Sequence, residues 1–151
     1  MNTSTKGADL IKSFEGCKLK AYKDPGTVNG LPITIGWGST MYQDGSKIKL
    51  GDVITQAKAD ELLKWEIEKK ANVLRALNMK LKQHQFDAVV SFCYNVGLGA
   101  FNTSTLRKKI NLNPDDPTIS CEFLRWINNN GKPMAGLKRR REAEIKLYFN
   151  K

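Results

Sequence analysis

The stretch LIKSFEGCKLKAYKD, residues 10–24, changes texture within a few positions, and the fold turns on that change. Leu10, Ile11 and Phe14 recur at helical spacing, and Ser4 or Thr5 stands where a helix N-cap belongs. Gly16 supplies the stop, which leaves Glu15 in the final helical turn. Lys18-Leu19-Lys20-Ala21-Tyr22 then alternates polar and apolar, as a half-buried strand does, and Asp24-Pro25-Gly26 is turn chemistry.

Downstream, residues 33–38 read as a second strand and residues 46–51 as a short third, with Asp44-Gly45 turning between them. From Thr55, an N-cap, the pattern becomes helical. Leu63, Ile67, Ala71, Leu74 and Leu77 recur at steps of three and four over about six turns. Further helices are expected from Gln83 to Val96, ended by Gly97-Leu98-Gly99, and from a Ser104 cap through Ile110. Another begins at Asp116-Pro117 and carries Ile119, Phe123 and Trp126, and a basic one runs from Gly136 to Tyr148 after a turn at 128–132. The fold class is α+β, as one domain. A sheet lobe of about 14–54 is joined by a linking helix, about 55–78, to a helical lobe of about 79–151 plus the N-terminal helix.

Composition narrows the chemistry. The 151 residues are 40% hydrophobic and 26% charged, ordinary for a globular protein with a real core. The most apolar stretch, residues 88–101, is broken by Ser91 and Asn95, so stable membrane insertion is not expected. No apolar segment follows the first residues, so no secretory signal is expected and the chain is expected in a cytoplasm. Cys17, Cys93 and Cys121 fit neither a disulfide framework nor a zinc pattern and are read as free thiols packed as small hydrophobes. With His84 as the single histidine, no metal site and no cofactor are expected. The net charge of +10 implies an anionic partner, such as nucleic acid, a membrane surface or a bacterial envelope.

Glu15 and Asp24 form a candidate acid–base pair. Cleaving a glycosidic bond needs two carboxyl groups in different protonation states. A carboxylate at a helix C-terminus faces the negative end of the dipole, and partial burial beside Phe14 acts in the same sense, so Glu15 is the better acid. Asp24, in a polar turn beside Lys23, is the better base, and Thr34 on the facing strand offers a hydroxyl to help hold a water. Spacing alone also fits two solvated surface carboxylates.

Residues 10–24, followed by TIGWGST (34–40), QFDAVVSFCYNVGLGAF (85–101) and FLRWINNNGKPMAGLKRRREAE (123–144), resemble the phage-type lysozymes, or endolysins. The resemblance covers nearly the whole chain. It is closer to lambdoid and P22-like endolysins than to the T-even phage enzyme of the same family. It implies a lysozyme-like fold and hydrolysis of the β-1,4 bond between N-acetylmuramic acid and N-acetylglucosamine in peptidoglycan, leading to host lysis. By resemblance the catalytic Glu, Asp and Thr map onto Glu15, Asp24 and Thr34, with inversion at the anomeric carbon. The gap from Asp24 to Thr34 is longer than in the T-even enzyme, because residues 27–32 extend the hairpin. Ser39 replaces a histidine that forms a structural ion pair there.

The resemblance also implies glycan-binding roles for Tyr22, Trp37 and Gly38 on one wall and for Tyr94, Asn95 and Val96 on another. The aromatics suit a core equally well. Asn95, an amide in an apolar helical stretch, needs a partner that sugar would supply. The basic run Lys138-Arg139-Arg140-Arg141 reads either as a solvated helix face or phosphate site or, as the family implies, as the source of one arginine that reaches inward to orient the acid, expected to be Arg139 or Arg140. A lytic transglycosylase on the same fold would need the acid without the water-holding pair. Other readings are a non-catalytic, basic envelope- or nucleic-acid-binding protein and a membrane-disrupting C-terminal helix; the enzyme reading leaves out nucleic acid. It expects a monomer that waits in the host cytoplasm for a separate pore-former, a holin, before acting on the cell wall.

Overall fold

The computed structural model describes residues 1–25 and 28–150. The expected turn at 24–26 and the hairpin extension fall partly on Gly26 and Thr27, outside the described residues. The chain divides into a sheet-bearing unit, residues 12–69, and a helical unit, residues 1–11 and 70–151. Helices α1 (Thr5–Phe14) and α2 (Gln56–Ala76) each begin in one unit and end in the other.

In the sheet-bearing unit, β1 (Lys18–Tyr22) pairs antiparallel with β2 (Thr34–Gly36), with Lys18 opposite Gly36 and Tyr22 opposite Thr34. Its other edge is joined by the Ala21 amide donating to Asp52 O (2.9 Å) and the Ile54 amide donating to Leu19 O (2.9 Å). The second strand is shorter than its sequence suggests. Ile35 and Ser39 exchange both backbone hydrogen bonds at 2.9 Å, so Trp37 and Gly38 lie in a tight turn rather than in the strand. The turn needs positive φ at Gly36 (63°) and Gly38 (101°), which a Cβ disfavours. Residues 46–51 form no strand; the one pairing there is an isolated bridge between Met41 and Lys47. Thr55 caps α2 as expected, its Oγ1 accepting from the Lys58 amide at 3.1 Å. Ile35, Ile48, Ala59, Leu62, Leu63 and Ile67 are the buried apolar residues of this unit.

The helical unit is built on α3 (Gln83–Val96), buried along most of its length and packed chiefly against the last helix, α7 (Ala135–Tyr148). Gly97 (φ 102°) ends α3, but the chain restarts at once as α4 (Leu98–Thr103), a helix that the glycines mask in sequence. Ser104 caps α5 (Thr105–Leu112) through the Arg107 amide at 3.1 Å. Pro117 does not open a helix; α6 (Ile119–Phe123) follows Thr118 and leaves Trp126 beyond its end. Residues 128–132 are more than a turn. Strands β3 (Asn128–Asn129) and β4 (Lys132–Pro133) form a hairpin around Asn130 (φ 52°) and Gly131 (φ 78°), a primed turn of the kind Asn-Gly favours.

Phe92 is the aromatic hub. Its ring centroid lies 6.1 Å from Phe101, 5.6 Å from Phe123 and 5.7 Å from Trp126, all edge-to-face. Of the cysteines, only Cys93 is packed away; Cys17 is half-buried and Cys121 exposed, because position 121 falls on the outer side of the short α6. The N-terminal segment is tied to α3 by Asp87, which accepts from the Ser4 amide (2.9 Å), the Ser4 hydroxyl and Gln83 Nε2 (2.9 Å). Charge is uneven. The helical unit holds sixteen of the 25 Lys and Arg but seven of the 15 Asp and Glu, so nearly all the excess lies there.

Two outcomes follow for stability. Phe92→Ala is expected to lower unfolding free energy by about 3–5 kcal/mol in urea titrations, because partners on three sides cannot all collapse into the void. The second concerns the Tyr42 hydroxyl, which donates to Asp52 Oδ2 at 2.8 Å. The Lys49 amide and this hydroxyl hold Asp52 below the usual carboxylate range, while burial and Asp52 push Tyr42 up to about 12. A lowered acid stabilises above its unfolded pKa and loses that as pH falls; a raised tyrosine stabilises below about 10 and loses that as pH rises toward about 12. The stability difference between wild type and Tyr42→Phe should therefore be widest near neutrality and shrink at both extremes.

Candidate active site

Glu15 sits one residue beyond α1, in the bend leading into β1, rather than inside the last turn. It is half-buried. The Gly36–Gly38 turn approaches it: a Cβ at Gly38 would stand 3.5 Å from Glu15 Oε2. That is ordinary contact, so a side chain there is opposed chiefly by the positive φ of position 38 (101°).

Tyr22, at the end of β1, ties the two carboxylates together. Its hydroxyl is held above its ordinary pKa, first by burial, then by the charge of Asp24, then by that of Glu15. It therefore remains a neutral hydroxyl beside both acids. Lys18 Nζ lies 4.5 Å from the Tyr22 ring centroid. Asp24 is half-buried just beyond β1, its amide donating to Gly30 O at 2.8 Å, which closes the described part of the hairpin loop. Thr34 faces Tyr22 across the sheet and is buried, 7% exposed. Its Oγ1 donates to Pro32 O at 3.1 Å. With that proton engaged, Thr34 meets any further polar group as an acceptor.

Trp37 is half-buried in the turn. Its Nε1 donates to Asp60 Oδ1 (2.8 Å), and Lys12 Nζ lies 5.5 Å from its ring centroid. Asp60, also bonded by Gln56 Nε2 at 3.0 Å, is held below the usual carboxylate range, first by Trp37 and then by Gln56. Sequence reading missed Asp60; its position early in α2 carries no periodic signal.

Tyr94, Asn95, Val96 and Arg139 belong to the helical unit. Tyr94 is half-buried, with Lys70 Nζ 5.3 Å from its ring centroid. Val96 is half-buried at the end of α3. Two expectations are corrected here. The partner of Asn95 Oδ1 is not left to a sugar, because Arg141 Nη2 donates to it at 2.7 Å. Nor is Arg139 the inward arginine: it is exposed, whereas Arg140 is 3% and Arg141 0% exposed. The buried stripe of α7 runs through Arg140, Arg141, Glu144 and Tyr148, and the helical period puts position 139 off it.

Those two arginines converge on Glu144, itself fully buried. Arg141 Nε lies 2.7 Å from Glu144 Oε1, Arg140 Nε lies 3.5 Å from Oε2, and the Ser91 hydroxyl donates to Oε2 at 2.6 Å. Burial pushes the Glu144 carboxyl up, and the guanidiniums and Ser91 oppose it. The pairing was visible as Arg140 and Glu144 at i, i+4, but sequence does not say that the pair is buried. Among the described residues no three His, Cys, Asp or Glu side chains group as a metal site would need, and no helix is long and apolar enough to cross a membrane.

Comparisons with known proteins agree with the fold. Residues 12–144 match the phage lysozyme family. The endolysin of Acyrthosiphon pisum secondary endosymbiont phage 1 is 39% identical, over 98% of each chain. A point mutant of P22 lysozyme superposes with a TM-score of 0.81 at 34% identity, covering 98% of each chain. The muramidase domain of SpmX from Asticaccaulis excentricus superposes at 0.82 with 31% identity, covering 97% of each. With its α+β fold, its carboxylates beside one tyrosine and these matches along its length, the chain belongs to the phage lysozyme family and is a lysozyme-type glycoside hydrolase.

Proposed function

We propose that this endolysin hydrolyses the β-1,4 bond between N-acetylmuramic acid and N-acetylglucosamine in bacterial peptidoglycan, with Glu15 as general acid and Asp24 and Thr34 holding the attacking water. The observation that supports the residue roles is the β1–β2 pairing, which sets Thr34 opposite Tyr22 with Glu15 just before β1 and Asp24 just after it, both charges acting on the Tyr22 hydroxyl. Glu15 gives its proton to the glycosidic oxygen as the bond to the anomeric carbon breaks. Water attacks that carbon from the opposite face, Asp24 takes its proton, and the configuration inverts. Thr34 suits this role because its own proton is spent on Pro32: it accepts one hydrogen of the water while Asp24 accepts the other. That leaves the water's lone pair free for carbon. Tyr22, neutral, is a donor able to steady either carboxylate without adding charge.

Trp37 and Gly38 form the turn beside the acid, and Tyr94, Asn95 and Val96 are offered as glycan contacts of the helical unit. The excess of cations on the helical unit favours approach to an anionic envelope. The proposal extends to delivery: the chain acts as a monomer, accumulates in the host cytoplasm, and reaches the wall when a separate holin opens the membrane.

Glu15→Gln is expected to lower the rate of wall clearing at least a hundredfold with an unchanged circular dichroism spectrum, on the order of what a general acid contributes. NMR of the first product should show the inverted anomer. Full lysis by the variant, a retained anomer, or an intramolecular anhydro sugar of the transglycosylase kind would each overturn this mechanism. For delivery, expression in a host without a pore-former should leave cells intact, and lysis should follow when one is co-expressed; spontaneous lysis would count against it.

A further inference from the structure

Glu15 stands in the bend between α1 and β1, and contacts from both sides of that bend lead to one oxygen early in α2. That oxygen is Asp60 Oδ1. Trp37 Nε1 donates to it at 2.8 Å, Gln56 Nε2 donates to it at 3.0 Å, and Lys12 Nζ lies 4.0 Å away. Lys12 is on α1, three residues before Glu15. Gln56 Nε2 also lies 3.6 Å from the Sγ of Cys17, two residues after it.

The contact with Trp37 has the most to fix. Trp37 is the middle residue of the turn that Ile35 and Ser39 close, and it stands between two glycines of positive φ, 63° and 101°. Glycine backbone resists little on its own, so the turn depends on what its one side chain grips. At its start the turn lies on α2, where a Cβ at Gly36 would stand 3.4 Å from the Cβ of Ala59. The next residue of α2, Asp60, holds the indole. At its far end a Cβ at Gly38 would stand 3.5 Å from Glu15 Oε2, so the backbone beside the acid continues directly from the residue that Asp60 holds. Trp37 and then Gln56 keep the Asp60 carboxyl below the usual range, so the indole meets an ionised acceptor, the stronger kind. The exposed pair with Lys12 adds little to this.

We infer that Asp60 is a positioning residue for the acid: by holding the Trp37 indole it fixes the Gly36–Gly38 turn against Glu15. The inference rests on the role of Glu15 proposed above and adds a residue that acts through Trp37. A loosened turn would lower the fraction of bound complexes in which the Glu15 carboxyl is aimed at the glycosidic oxygen. The loss should therefore fall on kcat rather than on KM.

Three variants separate the hydrogen bond from the charge. Asp60→Ala removes the acceptor, Trp37→Phe removes the donor, and Asp60→Asn keeps a carbonyl acceptor without the charge. Initial rates of reducing-end release from purified peptidoglycan give kcat and KM, and thermal melts follow the fold. The indole N–H resonance of Trp37, identified by its loss in Trp37→Phe, reports the bond itself. Asp60→Ala is expected to lower kcat about tenfold, with KM within about twofold and that resonance moved upfield. Trp37→Phe should lower kcat by a similar factor, and the double variant no further, because both changes break one bond. Asp60→Asn should recover most of the rate. An unchanged kcat in Asp60→Ala, a loss carried by KM, losses that multiply in the double variant, or an Asp60→Asn as slow as Asp60→Ala would each overturn the inference. Trp37→Phe and Asp60→Asn keep the test decisive should Asp60→Ala not fold. Glu15→Gln, assayed alongside, tells the two readings apart. Full activity there removes the acid and this inference with it, whereas its loss beside an unaffected Asp60→Ala overturns the inference alone.

Discussion

The helical unit is organised around a charge that has no access to water. Arg141 is fully buried, and a buried cation is tolerable only where an anion and hydrogen-bond acceptors replace its hydration. Glu144 supplies the anion, Ser91 holds Glu144, Phe92 lies against the guanidinium, and Asn95 accepts a hydrogen bond from Nη2. Through these contacts α7 is keyed to α3 in one register. The same contacts determine which atom of Asn95 the core engages at the end of α3. Removing either ion while leaving the other would cost about 3–5 kcal/mol, which is why the pair acts as a unit.

The sheet-bearing unit solves a different problem, which is to hold two carboxyl groups at the two ends of one short strand without a large core. It does so with backbone. β1 ends at Tyr22 beside Asp24, begins just after Glu15, and is paired with β2 so that Thr34 faces Tyr22. The tight turn through Gly36 and Gly38 then comes back to Glu15. Short strands and one glycine turn thus fix groups that are scattered in sequence, and the half-buried tyrosine between them remains neutral. The electrostatics are local consequences of that pairing.

How much of this was legible varies by the kind of signal. Helix α2 and the span of α3 follow from apolar periodicity and caps, and Thr55 and Ser104 cap as their positions suggest. The third strand at 46–51 was over-read, because alternation without a partner edge yields only a bridge at Lys47. The β3–β4 hairpin was under-read although Asn130-Gly131 is a strong turn signal, its strands being too short to show a period. Among site residues, Glu15, Tyr22, Asp24 and Thr34 all fall in one unit. The role of Trp37 changed with its element, from a strand position to a turn held by Asp60.

The sequence by itself determined that a helix gives way to a strand around Glu15, most of the helices that follow, and the family to which all of it belongs, although it put Glu15 inside the last turn of α1 and not one residue beyond it. These depend on spacing and capping within a few residues, where local preference and motif suffice. Only the tertiary structure decided which arginine of the basic run is inward and what Asn95 bonds to. Four consecutive basic residues look alike as a string, and their fates separate only when α7 meets α3 and the helical period turns Arg140 and Arg141 into the core. A buried ion pair is made by the packing that surrounds it, and packing is a property of elements brought together from distant parts of the chain.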